Sequence, residues 1–441
     1  MRRFVLSLLT AGVLSLFAPI SQAENWGNWR GPNHDGSTSE TKLPVKFSKE
    51  ENLTWAIDLP GTSPATPVVW GDHVFVSVAT PDDKMLALAY DRKTGKELWR
   101  DVVATAPATD KRSNKAGPSP ATDGKHVIFF YGSGDLACYT VEGKQLWRRQ
   151  LCEEYGDFSF MWTFSSSPLI HKGAAYLPIL QNTRPYRQGK FKPGKESFLL
   201  AFDPATGKNI WKVERPSAAV AESLEAFTTI VPYTHEGSEQ LLVTGGDCIT
   251  GHDPKTGAEI WRWATWNPTK IGHWRLVPSP VAGAGIALAC APKGDPIYAI
   301  KLGGKGDISE TGLAWKSGGG NVSSDVSTPL FYQGKFFVLN SDRRALVCIE
   351  PADGKVVWDI PKLPGRSKYE ASPTGADGKI YTISHKGETD VIDAKTGDVL
   401  HSTDLSEPGT SDNRPSIVVS QGSLFIKVHN KLYCFGGGTT N

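Results

Sequence analysis

What the chain lacks removes several functional classes at once. Its formal net charge is only +2 over 441 residues. A dedicated nucleic-acid binder carries a strong basic excess gathered on one face, so no nucleic-acid partner is expected. After residue 23 no stretch holds about 18 uninterrupted apolar residues, the length a helix needs to cross a bilayer, so no membrane span is expected. No cysteine precedes Cys138, which leaves no lipid attachment point near the start, and no two of the six cysteines are adjacent. Catalytic signatures are missing too: there is no HExxH, no CxxC pair and no Ser-His-Asp order. The glycine runs at 303–306 and 318–320 follow no strand-to-helix pattern, so they do not read as phosphate cradles.

What the chain has in quantity is 45 Gly, 30 Pro and 14 Trp, a mix suited to short strands, tight turns and large aromatic wedges. The stretch FLLAFDPATGKNIW (198–211) reads as a buried strand, a turn on Asp203, Pro204, Thr206 and Gly207, and a second strand ending at Trp211. Versions of it recur along the sequence. Each unit opens with Ser-Pro or Thr-Pro in most cases, then gives an apolar strand, a Gly turn, a second strand, a loop and this motif. The terminal positions Trp99, Trp147, Trp211, Trp261, Trp315, Trp358 and His401 lie 43 to 64 residues apart. That is the four-strand spacing of a propeller blade, about 40 to 50 residues, lengthened by loops.

The expected architecture is therefore all-β, an eight-bladed β-propeller of four-stranded blades. The last unit, ending KLYCFG, stops one strand short, while residues 52–59 form an orphan strand with no preceding partner. Pairing the two closes the ring through the N-terminal strand. The six repeated tryptophans are expected to cover the seams between blades, each indole N–H finding a backbone acceptor. Residues 1–23 read as a cleaved signal peptide, with Arg2 and Arg3, an apolar stretch and Ser21-Gln22-Ala23. Residues 24–51 read as an N-terminal arm anchored by Trp26 and Trp29, 52–436 as the propeller and 437–441 as a flexible tail. The expected location is periplasmic or secreted.

Six cysteines in an exported chain suggest disulfides, but Cys138, Cys348 and Cys434 align with Ala89 and Ala201 in one small buried slot of different blades. Equivalent slots lie about 10 Å apart, beyond the roughly 7 Å that a disulfide tolerates. These three read as core thiols, with Cys152, Cys248 and Cys290 left open.

The motifs AYDRKTGKELW, AFDPATGKNIW, GHDPKTGAEIW and IDAKTGDVLH resemble the tryptophan-docking repeat of the pyrroloquinoline-quinone (PQQ) propeller superfamily. The opening WRGPNHDG is similar to exported bacterial PQQ-like proteins. The resemblance implies the propeller fold and two functional branches. One is the outer-membrane assembly factor of the BamB type, which implies a non-catalytic module with a protein or glycan partner in the envelope. The other is the quinoprotein alcohol dehydrogenases, which implies PQQ with calcium and an alcohol or sugar substrate. This chain lacks the adjacent cysteines of the second branch and shows no local motif for its calcium ligands, so no cofactor and no metal are expected. The first branch is usually lipid-anchored, and the cysteine for that is missing here. A monomeric binding module is the expectation, with a quinoprotein dehydrogenase or a carbohydrate-active enzyme as the alternative, and no catalytic residue is assigned.

Candidate binding residues come from the loops expected to share one rim around the channel. Trp162, Trp266 and Trp274 are expected as a stacking floor. Arg112, Arg275, Lys368 and Arg414 are cations for an anionic group, with Glu225, Asp325, Glu370 and Asp412 as counter-charges. His273 is the acid-base candidate. The structural alternative is that the aromatics plug the channel, the charges pair around its mouth and the histidine is structural.

Overall fold

A two-residue turn starts each repeat, and the sequence dictates its shape. Lys172 and Gly173 both have positive φ, +46° and +83°, and join strand Leu169–His171 to strand Ala174–Ile179. This is the primed turn whose twist matches a hairpin. Glu236-Gly237, Gln333-Gly334 and Gln421-Gly422 repeat it. The next turn is built on aspartate: Asp203 Oδ1 accepts the N–H groups of Ala205 (2.7 Å) and Thr206 (3.1 Å). Asp91, Asp253 and Asp393 do the same in their blades. Such side-chain-to-backbone bonds explain the recurring D-x-x-T-G.

The computed structural model describes residues 24–107, 114–185 and 192–436. The segments 1–23 and 437–441, read above as signal peptide and tail, lie outside the described residues, as does Arg112. Among the described residues, eight antiparallel sheets form the blades of a propeller. Seven of them have four strands, and the fourth blade gains a short parallel strand, Gly306–Asp307, on its outer edge beside Glu259–Trp263. In the eighth blade, Leu53–Asp58 pairs antiparallel with Lys431–Gly436, with Ala56 opposite Tyr433, so the N-terminal strand closes the ring.

Blades are locked by the terminal indoles. Trp99 Nε1 donates to Val141 O, Trp147 to Pro204 O, Trp211 to Pro254 O, Trp315 to Pro351 O and Trp358 to Ala394 O, at 2.7 to 3.2 Å. Each acceptor lies in the glycine-containing turn between the third and fourth strands of the following blade. The turn glycine fits flat beneath the ring: a Cβ on Gly257 would stand 2.7 Å from Trp211. On the other side, the cross-strand partner of each indole is small. Ala89 faces Trp99, Cys138 faces Trp147, Cys348 faces Trp358 and Cys434 faces Trp55. The slot shared by Ala and Cys is thus the space under a ring, and all six cysteines are free thiols.

Two positions depart from the repeat. Trp261 is fully buried, and its N–H goes to Gln240 Oε1 (2.7 Å) of its own blade instead of a backbone acceptor in the next. The reason is local: the fifth blade's longer turn lacks the Asp-Gly geometry and brings Leu302 and Ile308 into the same core. His401 faces the blade that has no outer turn, because its outer strand comes from the N-terminus. The arm fills that place, and His401 Nε2 lies 2.9 Å from Phe47 O.

The arm also crosses the end of the channel opposite the rim. Trp26 is fully buried and pairs its backbone with Val69, Thr122 N–H bonds to Gly27 O, and Asn28 Oδ1 accepts the Ile170 N–H. On the far side Arg30 donates to the carbonyls of Pro329 and Pro373. Five blades are therefore tied to one short segment, and Trp29 is left pointing into the channel, with Arg30 5.7 Å from its ring centroid.

Candidate binding site in the central channel

The Ser-Pro and Thr-Pro openings have a specific role in building the channel wall. The hydroxyl that opens each blade accepts the N–H of its counterpart in the preceding blade. Thr66 N–H bonds to Ser119 Oγ, Ser119 to Ser167, Ser167 to Thr229, Thr229 to Ser279, Ser279 to Thr328, Thr328 to Ser372, and Ser416 to Thr66, at 2.8 to 3.1 Å. The joint between the seventh and eighth blades is different: Ser416 Oγ is buried with no hydrogen-bond partner among the described residues. An unpaired buried hydroxyl is costly, so a polar group reaching this wall has a place to bond.

Inside the ring is a cavity of about 210 Å³ floored by Trp29 and lined by Trp162, Phe227, Arg275, Glu370 and Arg414, together with hydroxyls of the ring. Two charged clusters face it. The first belongs to the loops after the second, third and fourth blades. Trp162 Nε1 donates to Glu222 Oε1 (3.0 Å), Arg275 Nε lies 3.5 Å from the same oxygen, and the Met161 N–H bonds to Glu225 Oε2 (2.9 Å). Glu225 is almost fully buried. Burial pushes its carboxyl up to about 8, with the Glu222 charge adding to the rise and the Met161 bond and Arg275 opposing it.

The second cluster bridges the seventh and eighth blades. Glu370 Oε2 lies 3.0 Å from His385 Nε2 and 2.8 Å from Arg414 Nε, and Arg414 Nη2 lies 2.8 Å from Asp412 Oδ1. His385 Nδ1 is 3.6 Å from Asp412. Burial alone would raise the Glu370 carboxyl, but the histidine bond and the Arg414 charge outweigh it and hold the group down at about 2. Asp412 is raised by burial, with Arg414 and His385 opposing. Arg414 also reaches a larger cavity of about 480 Å³ at the rim between the last and first blades, beside Ser63, Asn114 and His429.

Glu225 supports a pH prediction. An unfolded glutamate titrates near 4.3, so between that value and about 8 the folded protein holds more protons than the unfolded chain. Stability should fall as pH rises through this window. Glu225→Gln, which retains an acceptor for the Met161 N–H, should flatten the fall. Melting temperatures of both proteins between pH 4.5 and 8.5 check this, and parallel curves would refute it.

The other residues singled out from the sequence distribute as follows. Trp162, Arg275, Glu370 and Arg414 line the channel cavity, Asp412 joins Arg414 at the adjoining rim cavity, and Glu225 is buried behind Met161 and Trp162. Trp266 and Trp274 do not form a stacking floor: they are buried, Trp266 against Trp263 and Tyr298, because the loop folds its apolar rings into the core between the fourth and fifth blades. His273 is exposed and away from the cavity lining, so its neighbour Trp274 turns inward while the imidazole faces solvent. Asp325 bonds the Lys293 N–H (3.1 Å), and Lys368 pairs with Asp342. Both are exposed-side pairs that leave the cavity lining to others. Sequence reasoning missed Trp29 as the channel floor, Glu222, and His385. Glu222 sits three residues before Glu225 in a loop already marked, and His385 occupies a second-to-third-strand loop on the rim, which were the available signals.

A calcium-bound quinone does not fit this donor set. Among the described residues, Glu370, His385 and Asp412 form the group of possible metal ligands whose atoms converge. The Arg414 guanidinium already contacts both carboxylates, and calcium prefers six to eight oxygen ligands without a nitrogen. No cysteine lines the channel cavity.

The chain matches the family described as outer membrane protein assembly factor BamB over residues 42–182, 195–271 and 306–433. Among curated relatives, the polyvinylalcohol dehydrogenase of Sphingopyxis sp. (strain 113P3) is 26% identical over 202 residues, which is 44% of this chain and 29% of that protein. The tetrathionate hydrolase of Acidithiobacillus ferrooxidans is 23% identical over 275 residues, 60% of this chain and 50% of that one. The chain thus spans half or less of the length of these relatives. Among solved structures, a europium-containing methanol dehydrogenase superposes with a TM-score of 0.68 at 13% identity, covering 94% of this chain and 98% of that one. BamB from Moraxella catarrhalis gives 0.58 at 12% identity, covering 88% and 98%. At such identities these likenesses show the fold alone. The extent of the family match, together with the blades and their docking indoles, shows that the chain belongs to the PQQ-like repeat propellers of the family described as outer membrane protein assembly factor BamB.

Proposed function

We propose that the protein is an exported, non-catalytic binding propeller that takes a protein or glycan partner at the channel mouth. The observation that carries this reading is the clamp on Glu370. A carboxylate held down at about 2 between His385 and Arg414 is a poor proton acceptor at neutral pH, because general-base catalysis needs a group that titrates near the working pH. What the cluster offers a ligand instead is fixed charge on a rigid scaffold, beside a half-buried Trp162 and the hydroxyl wall.

A second reading, a quinoprotein dehydrogenase or other carbohydrate-active enzyme, is favoured by Glu225, whose carboxyl at about 8 can carry a proton behind Trp162. One titration separates the two. Purified protein is mixed with PQQ and calcium, and dye reduction is followed with alcohols and sugars. No quinone retention and no dye reduction are expected. Quinone absorbance at one per chain, or turnover, would overturn the binding reading in favour of the enzyme. In parallel, pull-downs from envelope extract should recover a partner with the native protein and lose it with Arg275→Glu.

A further inference from the structure

Glu40 is a buried acid in an unusual position. Its residue is 5% exposed, and its carboxylate accepts only backbone N–H groups: Oε1 from Glu24 (2.5 Å) and Gln421 (2.9 Å), and Oε2 from Gly422 (2.9 Å). Among the described residues no cationic side chain pairs with it. A carboxylate this buried is normally matched by a positive charge.

The nearest candidate for that charge is the backbone nitrogen of Glu24 itself. Glu24 is held at every polar group. Its carbonyl accepts the Ser420 hydroxyl (2.6 Å), and its carboxylate takes the Ser39 N–H (2.8 Å) and the Thr38 hydroxyl. The residue immediately before it is Ala23, the end of the small-residue sequence Ser21-Gln22-Ala23 that an endoprotease of the signal-peptidase class would recognise.

We propose that the Ala23–Glu24 peptide bond is the processing site, and that the amino terminus it releases is the ion-pair partner of Glu40. Hydrolysis by such a protease adds one water across the bond, leaving a carboxylate on Ala23 and an ammonium on Glu24. The amide donor at Glu40 is thereby exchanged for a cation in the same place. Cleavage locks the arm onto the last blade, since Gln421 and Gly422 share the same carboxylate. This inference rests on the protein being exported and is independent of what binds in the channel.

The other titratable groups near the new terminus are the Glu24 carboxylate and, on the first blade, Arg92 with Asp72. Arg92 shares the Gly71 carbonyl with Gln421. An amino terminus ordinarily titrates near 7.7 to 8.0. Pairing with Glu40 raises that value in the folded state, so the added stability is complete below pH about 7.5 and is lost as pH rises through the raised value.

The test has two parts. Intact mass and N-terminal sequencing of the exported protein should give Glu24 as the first residue, and any other terminus overturns the processing site. Unfolding in denaturant is then compared at pH 7 for the chain starting at Glu24 and for one retaining Gln22-Ala23. The processed form should unfold at least about fivefold more slowly, with the difference vanishing above about pH 10 and in Glu40→Gln. Acetylation of the Glu24 amine in the native sequence should abolish it as well, which serves if Glu40→Gln does not fold. Equal rates for the two chains, or a difference that survives acetylation, would overturn the ion pair.

Discussion

Replacing Arg30 by methionine should destabilise the protein by on the order of 3 to 5 kcal/mol, because it removes a buried cation whose partners then stay behind unpaired. The Arg30 residue is 3% exposed. Its Nη1 donates to Pro373 O (3.1 Å), and its Nη2 donates to Asp35 O (2.9 Å) and Pro329 O (3.1 Å). Methionine fills much of the same volume, so the loss reports the three carbonyls and not a cavity. Burial pulls the guanidinium down to about 10, still charged at neutral pH, with Asp35 partly offsetting the effect. The expected readout is a lower denaturation midpoint together with earlier proteolytic release of the arm. Gly36→Ala should act in the same direction, since a Cβ there would stand 1.9 Å from Arg30 Nη2. An unchanged midpoint and an arm that stays protected would show that the plug does not depend on this residue.

Trp211→Ala is expected to be nearly as severe, roughly 3 to 5 kcal/mol, by opening a cavity at a seam between blades. The ring lies over Gly257, packs against Tyr176 at a centroid distance of 5.9 Å, and donates to Pro254 O at 3.0 Å. Trp211→Phe separates the contributions: the aromatic surface largely remains, and only the N–H bond is lost, which is worth about 1 kcal/mol. Denaturation midpoints of the two variants should therefore be well apart. If Trp211→Ala melts within about a degree of the native protein, the docking indole is not what holds the third blade to the fourth.

The repeat was legible because each part has a local physical cause. Asp and Gly specify the turn, the small slot accommodates the ring, and spacing gives the strand count. The orphan strand at 52–59 was readable for the same reason, since the last repeat visibly lacked a strand. The channel was harder to read. Trp162 and Trp266 look alike in sequence, both aromatic residues in rim loops, yet one lines the cavity and the other packs on Trp263 and Tyr298. Inward or outward orientation of a loop side chain is decided by tertiary packing, which no local period encodes. Pairing across blades was equally hidden: Glu370, His385 and Arg414 come from three separate loops, and only the closed ring brings them together. The Trp261 exception follows from an atypical turn that was visible as extra length, although its Gln240 acceptor was not.

Closure by the N-terminal strand has a consequence for the order of events. The first strand to leave the ribosome is the last that can find its place, because Leu53–Asp58 must wait for Lys431–Gly436. The arm waits as well: Phe47 needs His401, and Arg30 needs Pro329 and Pro373. Contacts so distant along the chain form slowly. Until they form, the eighth blade exposes the unpaired edge of Lys431–Gly436, a template for joining another chain. The protein is therefore most vulnerable to aggregation once Lys431–Gly436 has been made, in the interval before Leu53–Asp58 reaches it.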